Sequence, residues 1–111
     1  IKNDFDDAFN KVDAILTPST PSSAFKIGDK SNDPVSMYLN DIFTVPVNLA
    51  GLPGISIPAG LDKNSYPLGL QIIGKPFDEQ GILDIAYSME EKINFKLDIN
   101  DWWMKWPMII I

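Results

Sequence analysis

The sequence lacks cysteine, histidine and arginine altogether. Without cysteine the chain has no disulfide framework and no thiolate chemistry, and without histidine it cannot form most zinc sites or a Ser-His-Asp triad. All nine cationic residues are lysines, and fifteen acidic residues bring the net charge to -6. Because nucleic-acid binding requires a basic surface and favours arginine for phosphate contacts, we expect no direct contact with nucleic acid.

Long apolar runs are also missing from the chain. The longest candidate spans 108–111, whereas a membrane helix needs about 20 apolar residues. No basic and apolar leader opens the chain, so we expect a soluble protein with no membrane partner. The first residue is Ile1 rather than methionine, which indicates a chain that starts inside a longer reading frame.

Helical and strand patterns alternate along the sequence, which predicts an α/β fold. The 111 residues are 45% hydrophobic and suit one domain or part of one. Apolar spacing predicts helices over 3–12, 34–43 and 78–93, and strands over 14–17, 55–57 and 68–73. Three strands are few for a sheet whose strands look buried on both faces, so we expect partner strands elsewhere.

Single residues predict where several elements begin and end. Asp33 and Asp78 are expected to cap the second and third helices. Pro46 is expected to end the second helix and Pro58 the second strand. The apolar run at 14–17 is typical of a central strand. The last helix should bury one stripe, made of Ile82, Ile85, Ala86, Met89 and Ile93.

The third strand carries a partial copy of a phosphate-binding P-loop, formed by Gly69, Gly74 and Lys75. The next residue is Pro76 rather than Ser or Thr, and Gly69 lies within a strand instead of a loop. We interpret Gly69 as a site of close backbone packing and Gly74 as a strand-ending turn. Strand alternation predicts two faces, one with Leu68, Leu70 and Ile72 and the other with Gly69, Gln71 and Ile73.

Clusters of acidic residues are predicted to be solvated rather than metal-binding. They comprise Asp4, Asp6 and Asp7 at a helix start, and Asp98 and Asp101 near the end of the chain. None of the serines lies in a Gly-x-Ser-x-Gly elbow, and no histidine is available to activate one. A Ser-Lys pair stays possible in principle, although nothing in the spacing points to one, so the sequence indicates no particular catalytic residue and no metal site in this chain.

Asp41 is the carboxylate that the pattern singles out, because it follows a helical stripe and precedes a proline-rich stretch. On this pattern alone, an exposed helical aspartate and a ligand for an ammonium group both stay open. Near the end, Trp102, Trp103 and Trp106 could cover an apolar face of the fold or a partner surface.

Five stretches together resemble the C-terminal part of the glutaminase component of the glutamyl/aspartyl-tRNA amidotransferases, a branch of the amidase-signature family. They are DAILTPSTP at 13–21, FKIG at 25–28, YLND at 38–41, VPVNLAGLPGISIP at 45–58 and GLQIIGKPFDE at 69–79. The NLAGLP segment is shared across amidase-signature enzymes. The DIFTVP and FKIG segments point to the tRNA branch.

The resemblance implies a fold and one site residue. Residues 1–94 would form the incomplete C-terminal part of a layered α/β/α fold with a mixed sheet, and 95–111 a divergent tail. The family hydrolyses amides with a Ser-Ser-Lys catalytic set that lies upstream of the matched region, so this chain alone is expected to be inactive. The matching aspartate of the family binds the amino group of the substrate, which makes Asp41 the expected substrate-binding residue.

The resemblance also implies a reaction and partners. The parent protein would release ammonia from glutamine, and the amidating component of the complex would use it, with ATP and Mg²⁺, to amidate Glu or Asp on mischarged tRNA. Expected partners are glutamine, subunits B and C of the amidotransferase, and mischarged tRNA only through the complex, all in the cytoplasm. No cofactor is expected in this chain itself. Two alternatives stay open: another amidase-signature amide hydrolase, and a non-enzymatic remnant or interaction module.

Overall fold

The predicted alternation of helices and strands is present in the computed structural model, which describes residues 1–29 and 33–96. In chain order the elements are α1 Lys2–Phe9, β1 Ala14–Pro18, α2 Pro34–Leu39, α3 Val45–Ala50, β2 Gly54–Leu61, β3 Pro67–Gly74 and α4 Glu79–Ile93. The α/β fold class is confirmed.

β3 is the central strand of the described sheet, which has the order β1-β3-β2 with both pairs antiparallel. The predicted hairpin of β2 and β3 is confirmed. β1 lies at an edge of this described sheet instead of the expected central position, and the Leu16 side chain is half exposed. An apolar run predicts that a strand forms, but its neighbours depend on remote pairing, here Ala14 opposite Gly74.

The alternation of β3 builds two apolar clusters, one on each face of the sheet. Ile72 faces α4, and its cluster contains Ile57, Ile72, Ile82 and Ala86. Ile73 faces α1 and α3, and its cluster contains Phe9, Val47, Ala50, Leu52 and Ile73. The prediction that this strand has two different faces is confirmed. The predicted stripe of α4 is also confirmed, because Ile85, Met89 and Ile93 pack against the cluster that contains Ile72.

Pro46 lies in the first turn of a helix instead of ending one, so the prediction for this proline is wrong. α2 ends at Leu39, and α3 starts at Val45 with Pro46 in its first turn. A proline is well tolerated there because its missing N–H would have had no partner within the helix. α3 ends at Ala50 and is capped by Gly51, whose left-handed φ of 68° favours glycine.

Pro58 does not stop β2, so that prediction is also wrong. The strand continues to Leu61, with a register shift between Pro58 and Gly60. β2 is an edge strand of the described sheet, and an edge position with a bulge accommodates a residue that cannot donate to a ladder.

Both predicted aspartate caps are confirmed. The Asp33 carboxylate accepts a hydrogen bond from the Val35 amide at 3.1 Å, and Asp78 accepts one from the Gly81 amide at 3.2 Å. The Ser36 hydroxyl also donates to Asp33 at 2.6 Å, and this bond is the main reason that the pKa of Asp33 lies below its usual value.

Candidate functional site

Asp41 lies in the turn formed by residues 40–44, which joins α2 to α3. Its amide donates to the Tyr38 carbonyl at 3.1 Å, and its own carbonyl accepts from the amides of Thr44 and Val45 at 3.1 and 3.0 Å. The main chain on both sides of Asp41 is therefore held by local hydrogen bonds. The sequence pattern predicts this residue within a helix, whereas the structure puts it just beyond the end of α2.

The Asp41 side chain is exposed. Within the described residues, its carboxylate takes part in neither of the two ion pairs, which join Ile1 to Asp4 and Asp13 to Lys75. An exposed carboxylate on a hydrogen-bonded turn is chemically suited to accept charge-assisted hydrogen bonds from an ammonium group. Asp41 has the exposure and the acceptor atoms that the expected role requires.

Gln71 connects this turn to the centre of the sheet. Its Nε2 atom donates to the Phe43 carbonyl at 2.9 Å and to Thr17 Oγ1 at 2.9 Å. The side chain thus joins β3, β1 and the turn that carries Asp41. The sequence pattern did not predict these two hydrogen bonds. A signal was present, because Gln71 lies between Leu70 and Ile72, and a polar residue within an apolar strand often has a specific hydrogen-bonding partner.

A polar cleft of about 330 Å³ lies beside the turn. Its lining residues come from the turn, α3, the connection that follows α3, β2 and β3, and they are Thr44, Val47, Asn48, Leu52, Gly54, Ile55, Ser56 and Gln71. Asp41 is not among them, so the structure connects this residue to the cleft through the backbone of the turn rather than through its carboxylate. The hydroxyl and amide groups of the lining can bind a polar ligand by hydrogen bonds.

Hydrogen bonds attach the loop after β1 to the β2–β3 hairpin. Ser19 Oγ lies 2.5 Å from Ser56 Oγ, and the pair flanks Gly69. The Ser23 hydroxyl donates to the Asp62 carboxylate in the hairpin turn. The predicted close packing at Gly69 is confirmed, because any side chain on this residue would meet both serine hydroxyls.

Asp62 also organises the hairpin turn itself. Its Oδ1 atom accepts hydrogen bonds from the amides of Asn64 and Tyr66 at 2.7 and 2.9 Å. The Ser23 hydroxyl, followed by these amides, holds the pKa of Asp62 below its usual value because each donor favours the charged carboxylate.

The structure also describes the acidic cluster near the start of the chain and the two P-loop-like glycines. Asp4, Asp6 and Asp7 are exposed, and in the described part of the chain no group of three His, Cys, Asp or Glu side chains could hold a metal ion. Gly69 and Gly74 both lie within β3, whereas the glycines of a P-loop lie in the loop between a strand and a helix. Asp98, Asp101 and the three tryptophans lie outside the described residues.

Residues 1–83 match the family model for amidases. The chain belongs to the amidase family. No helix in residues 1–29 or 33–96 of this amidase chain is long and apolar enough to span a bilayer.

Relatives of this amidase chain include subunits of glutamyl-tRNA(Gln) amidotransferases. It is 81% identical over 105 residues to the subunit designated A of the glutamyl-tRNA(Gln) amidotransferase of Pelagibacter ubique (strain HTCC1062), covering 95% of this chain and 22% of that relative. The chain spans about a fifth of the length of the curated relatives it matches.

Solved structures of amidase-like enzymes share the fold. The corresponding subunit of the glutamyl-tRNA(Gln) amidotransferase from Thermotoga maritima superposes with a TM-score of 0.76 at 44% identity, over 81% of this chain and 20% of that one. The allophanate hydrolase of Kluyveromyces lactis superposes with a TM-score of 0.71 at 25% identity, over 81% of this chain and 15% of that one. The predicted membership in the amidase-signature family and the predicted fold are confirmed.

Proposed function

We propose that this chain is part of the glutaminase subunit of a tRNA-dependent amidotransferase, and that Asp41 binds the amino group of glutamine. The observation that carries the proposal is the 81% identity, over nearly the whole chain, to the matching component of a glutamyl-tRNA(Gln) amidotransferase. The exposed carboxylate of Asp41 on a hydrogen-bonded turn supports the assignment of the residue.

The proposed chemistry divides between this chain and the rest of the assembly. The Ser-Ser-Lys set that attacks the amide would lie outside these 111 residues, so the chain by itself would not hydrolyse glutamine. The ammonia would pass to the amidating component, which would use ATP and Mg²⁺ to convert Glu-tRNA(Gln) to Gln-tRNA(Gln), or Asp-tRNA(Asn) to Asn-tRNA(Asn). Subunits B and C would be the direct partners, and the assembly would work in the cytoplasm.

Asp41 would contribute recognition rather than bond breaking in this scheme. A carboxylate paired with the substrate ammonium favours an amino-acid amide over a plain amide, because only the former carries the positive charge. Such a contact lowers the KM for glutamine and leaves the later use of ammonia untouched.

The proposal is tested in a chimera in which this chain replaces the matching segment of the Pelagibacter ubique protein, co-expressed with the other components of that complex. Asp41→Ala should raise the KM for glutamine by about 10- to 100-fold, the range expected for losing a hydrogen bond to a charged group. Amidation from free ammonia should stay unchanged. Unchanged glutamine kinetics would contradict the role of Asp41.

Asp84→Ala is the matched control for this experiment. Asp84 is an exposed carboxylate on α4, the helix on the opposite face of the sheet, so its loss should leave the KM for glutamine unchanged. A chimera that is already inactive before mutation, although it assembles, would contradict the proposed parent enzyme itself.

A second candidate is another amide hydrolase of the family, favoured by the superposition on allophanate hydrolase at 25% identity. The two candidates differ in substrate. Glutaminase activity that requires the other components of the complex supports the amidotransferase, whereas hydrolysis of small plain amides without them supports the alternative.

The non-enzymatic alternative is tested by the mass of the native product, detected with an antibody against residues 24–45. A species several times heavier than 12.4 kDa supports a working amidase. A species at 12.4 kDa supports a remnant or an interaction module.

A further inference from the structure

We propose that Gln71 is a positioning residue that holds the turn 40–44, and with it Asp41, against the central strand of the sheet. The inference rests on the proposed role of Asp41 in glutamine binding. It extends that role to a residue in β3 whose amide contacts the backbone of the turn rather than Asp41 itself.

Burial gives the first reason to assign Gln71 a specific role. Its side chain is only 7% exposed, in a strand whose neighbours Ile72 and Ile73 are fully buried. Burying an amide is unfavourable unless its polar atoms find partners, and an apolar residue would fill this position at lower cost. The position is therefore better explained by the two hydrogen bonds than by packing.

The partners of Gln71 determine which way its amide points. Phe43 offers a backbone carbonyl, which can only accept, and the Thr17 hydroxyl already donates its hydrogen to the Pro18 carbonyl at 3.0 Å. Both partners of the side chain are thus acceptors, so the NH₂ end must face them. The carbonyl end faces the Gly54 side of the cleft, since a Cβ built on Gly54 would lie 3.8 Å from Gln71 Oε1.

The turn depends on this contact because few of its own side chains are buried. Asp41, Ile42 and Thr44 are exposed, and Phe43 is half-buried. The hydrogen bond from Gln71 reaches the Phe43 carbonyl, two residues from Asp41. A small displacement of a binding group is enough to weaken a substrate contact, because charged hydrogen bonds require short and well-aligned geometry.

Gln71→Met in the chimera tests the inference, because methionine has a similar length and no hydrogen-bond donor. The KM for glutamine should rise about five- to tenfold, as expected for losing buried hydrogen bonds. The kcat at saturating glutamine and the amidation from free ammonia should both be retained. Thr17→Val removes one of the two acceptors and should give a smaller increase in KM.

A double-mutant comparison separates positioning from general damage. If Gln71 acts through Asp41, adding Gln71→Met to Asp41→Ala should change the KM by less than about twofold, because the interaction is already lost. An equal increase of KM in both backgrounds would overturn the inference. Ile72→Val, a change at the neighbouring core residue on the other face, should leave the KM unchanged in either background.

Hydrogen exchange distinguishes failure of this inference from failure of the proposed function. The amides of Thr44 and Val45 donate to the Asp41 carbonyl, so their exchange reports directly on the turn. Gln71→Met should speed their exchange about tenfold while the amides of α4 stay protected. Unchanged exchange would overturn the positioning role, whatever Asp41→Ala does. If Asp41→Ala leaves the KM for glutamine unchanged while Gln71→Met speeds the exchange of the turn, the proposed role of Asp41 is overturned instead.

Discussion

The sheet face covered by α4 and the face covered by α1 and α3 differ in what is buried between helix and strand. On the α4 face, one helix of fifteen residues lays an apolar stripe over Ile57 and Ile72, and its buried cluster is entirely aliphatic. On the other face, two shorter helices cover Ile73, and the buried amide of Gln71 lies beside that cluster.

The two faces of this small sheet therefore contribute differently, one by apolar packing and the other by positioning polar groups. A continuous helix over a cluster of aliphatic side chains stabilises the hairpin by burying apolar surface, and that buried cluster contains no polar group for recognition. The broken helical layer on the other face leaves room for the turn 40–44 and for a polar cleft. Polar groups there are positioned by hydrogen bonds rather than by packing, and such contacts are directional.

The largest effects are expected from truncating the two adjacent isoleucines of β3 in the chimera, because each supports a different helical layer. Ile72→Ala and Ile73→Ala should each destabilise their own layer by about 2–5 kcal/mol, because both side chains are fully buried. Ile72→Ala should speed hydrogen exchange in α4, and Ile73→Ala in α1 and α3. Only Ile73→Ala should also raise the KM for glutamine. Faster exchange in the same helices for both variants would contradict the two-layer description.

A second comparison uses the two glycines of β3. A Cβ at Gly74 would collide with Ile82 Cγ2 on α4, whereas a Cβ at Gly69 would lie 2.7 Å from two serine hydroxyls that can rotate away. Gly74→Ala should therefore cost about 1–3 kcal/mol through overpacking, and Gly69→Ala less. Thermal melting of the two chimeras checks the order, and a lower melting temperature for Gly69→Ala would contradict it.

The smallest expected effect is a loss of stability of the hairpin turn at acidic pH. The pKa of Asp62 is lowered in the folded chain, so its contribution to stability is present above its ordinary value of 3.8 and is lost as the pH falls through the lower folded value. Relative to α4 at the same pH, the amides of Asn64 and Tyr66 should lose protection only in that acidic range. Asp62→Asn should abolish this pH dependence, and Asp84→Asn should preserve it.

Features that depend on residues within a turn or two of one another were predictable from the sequence. Asp33 and Asp78 cap their helices because a short carboxylate reaches the next amides whatever the rest of the chain does. The stripe of α4 and the two faces of β3 follow from the 3.6- and 2-residue periods. Asp41 is an intermediate case, because the local pattern left its role open and the family resemblance suggested it.

The prolines and Gln71 show where such prediction stops. Pro46 suits the first turn of a helix as well as the end of one, and Pro58 is acceptable in β2 only because that strand lies at an edge of the described sheet. The acceptors of Gln71 are Thr17 and Phe43, which the chain brings together only when β1 and the turn both pack against β3. Local chemistry therefore accounts for the aspartate caps, the stripe of α4 and the strand faces, whereas the break between α2 and α3 and the site depend on contacts that only the folded chain provides.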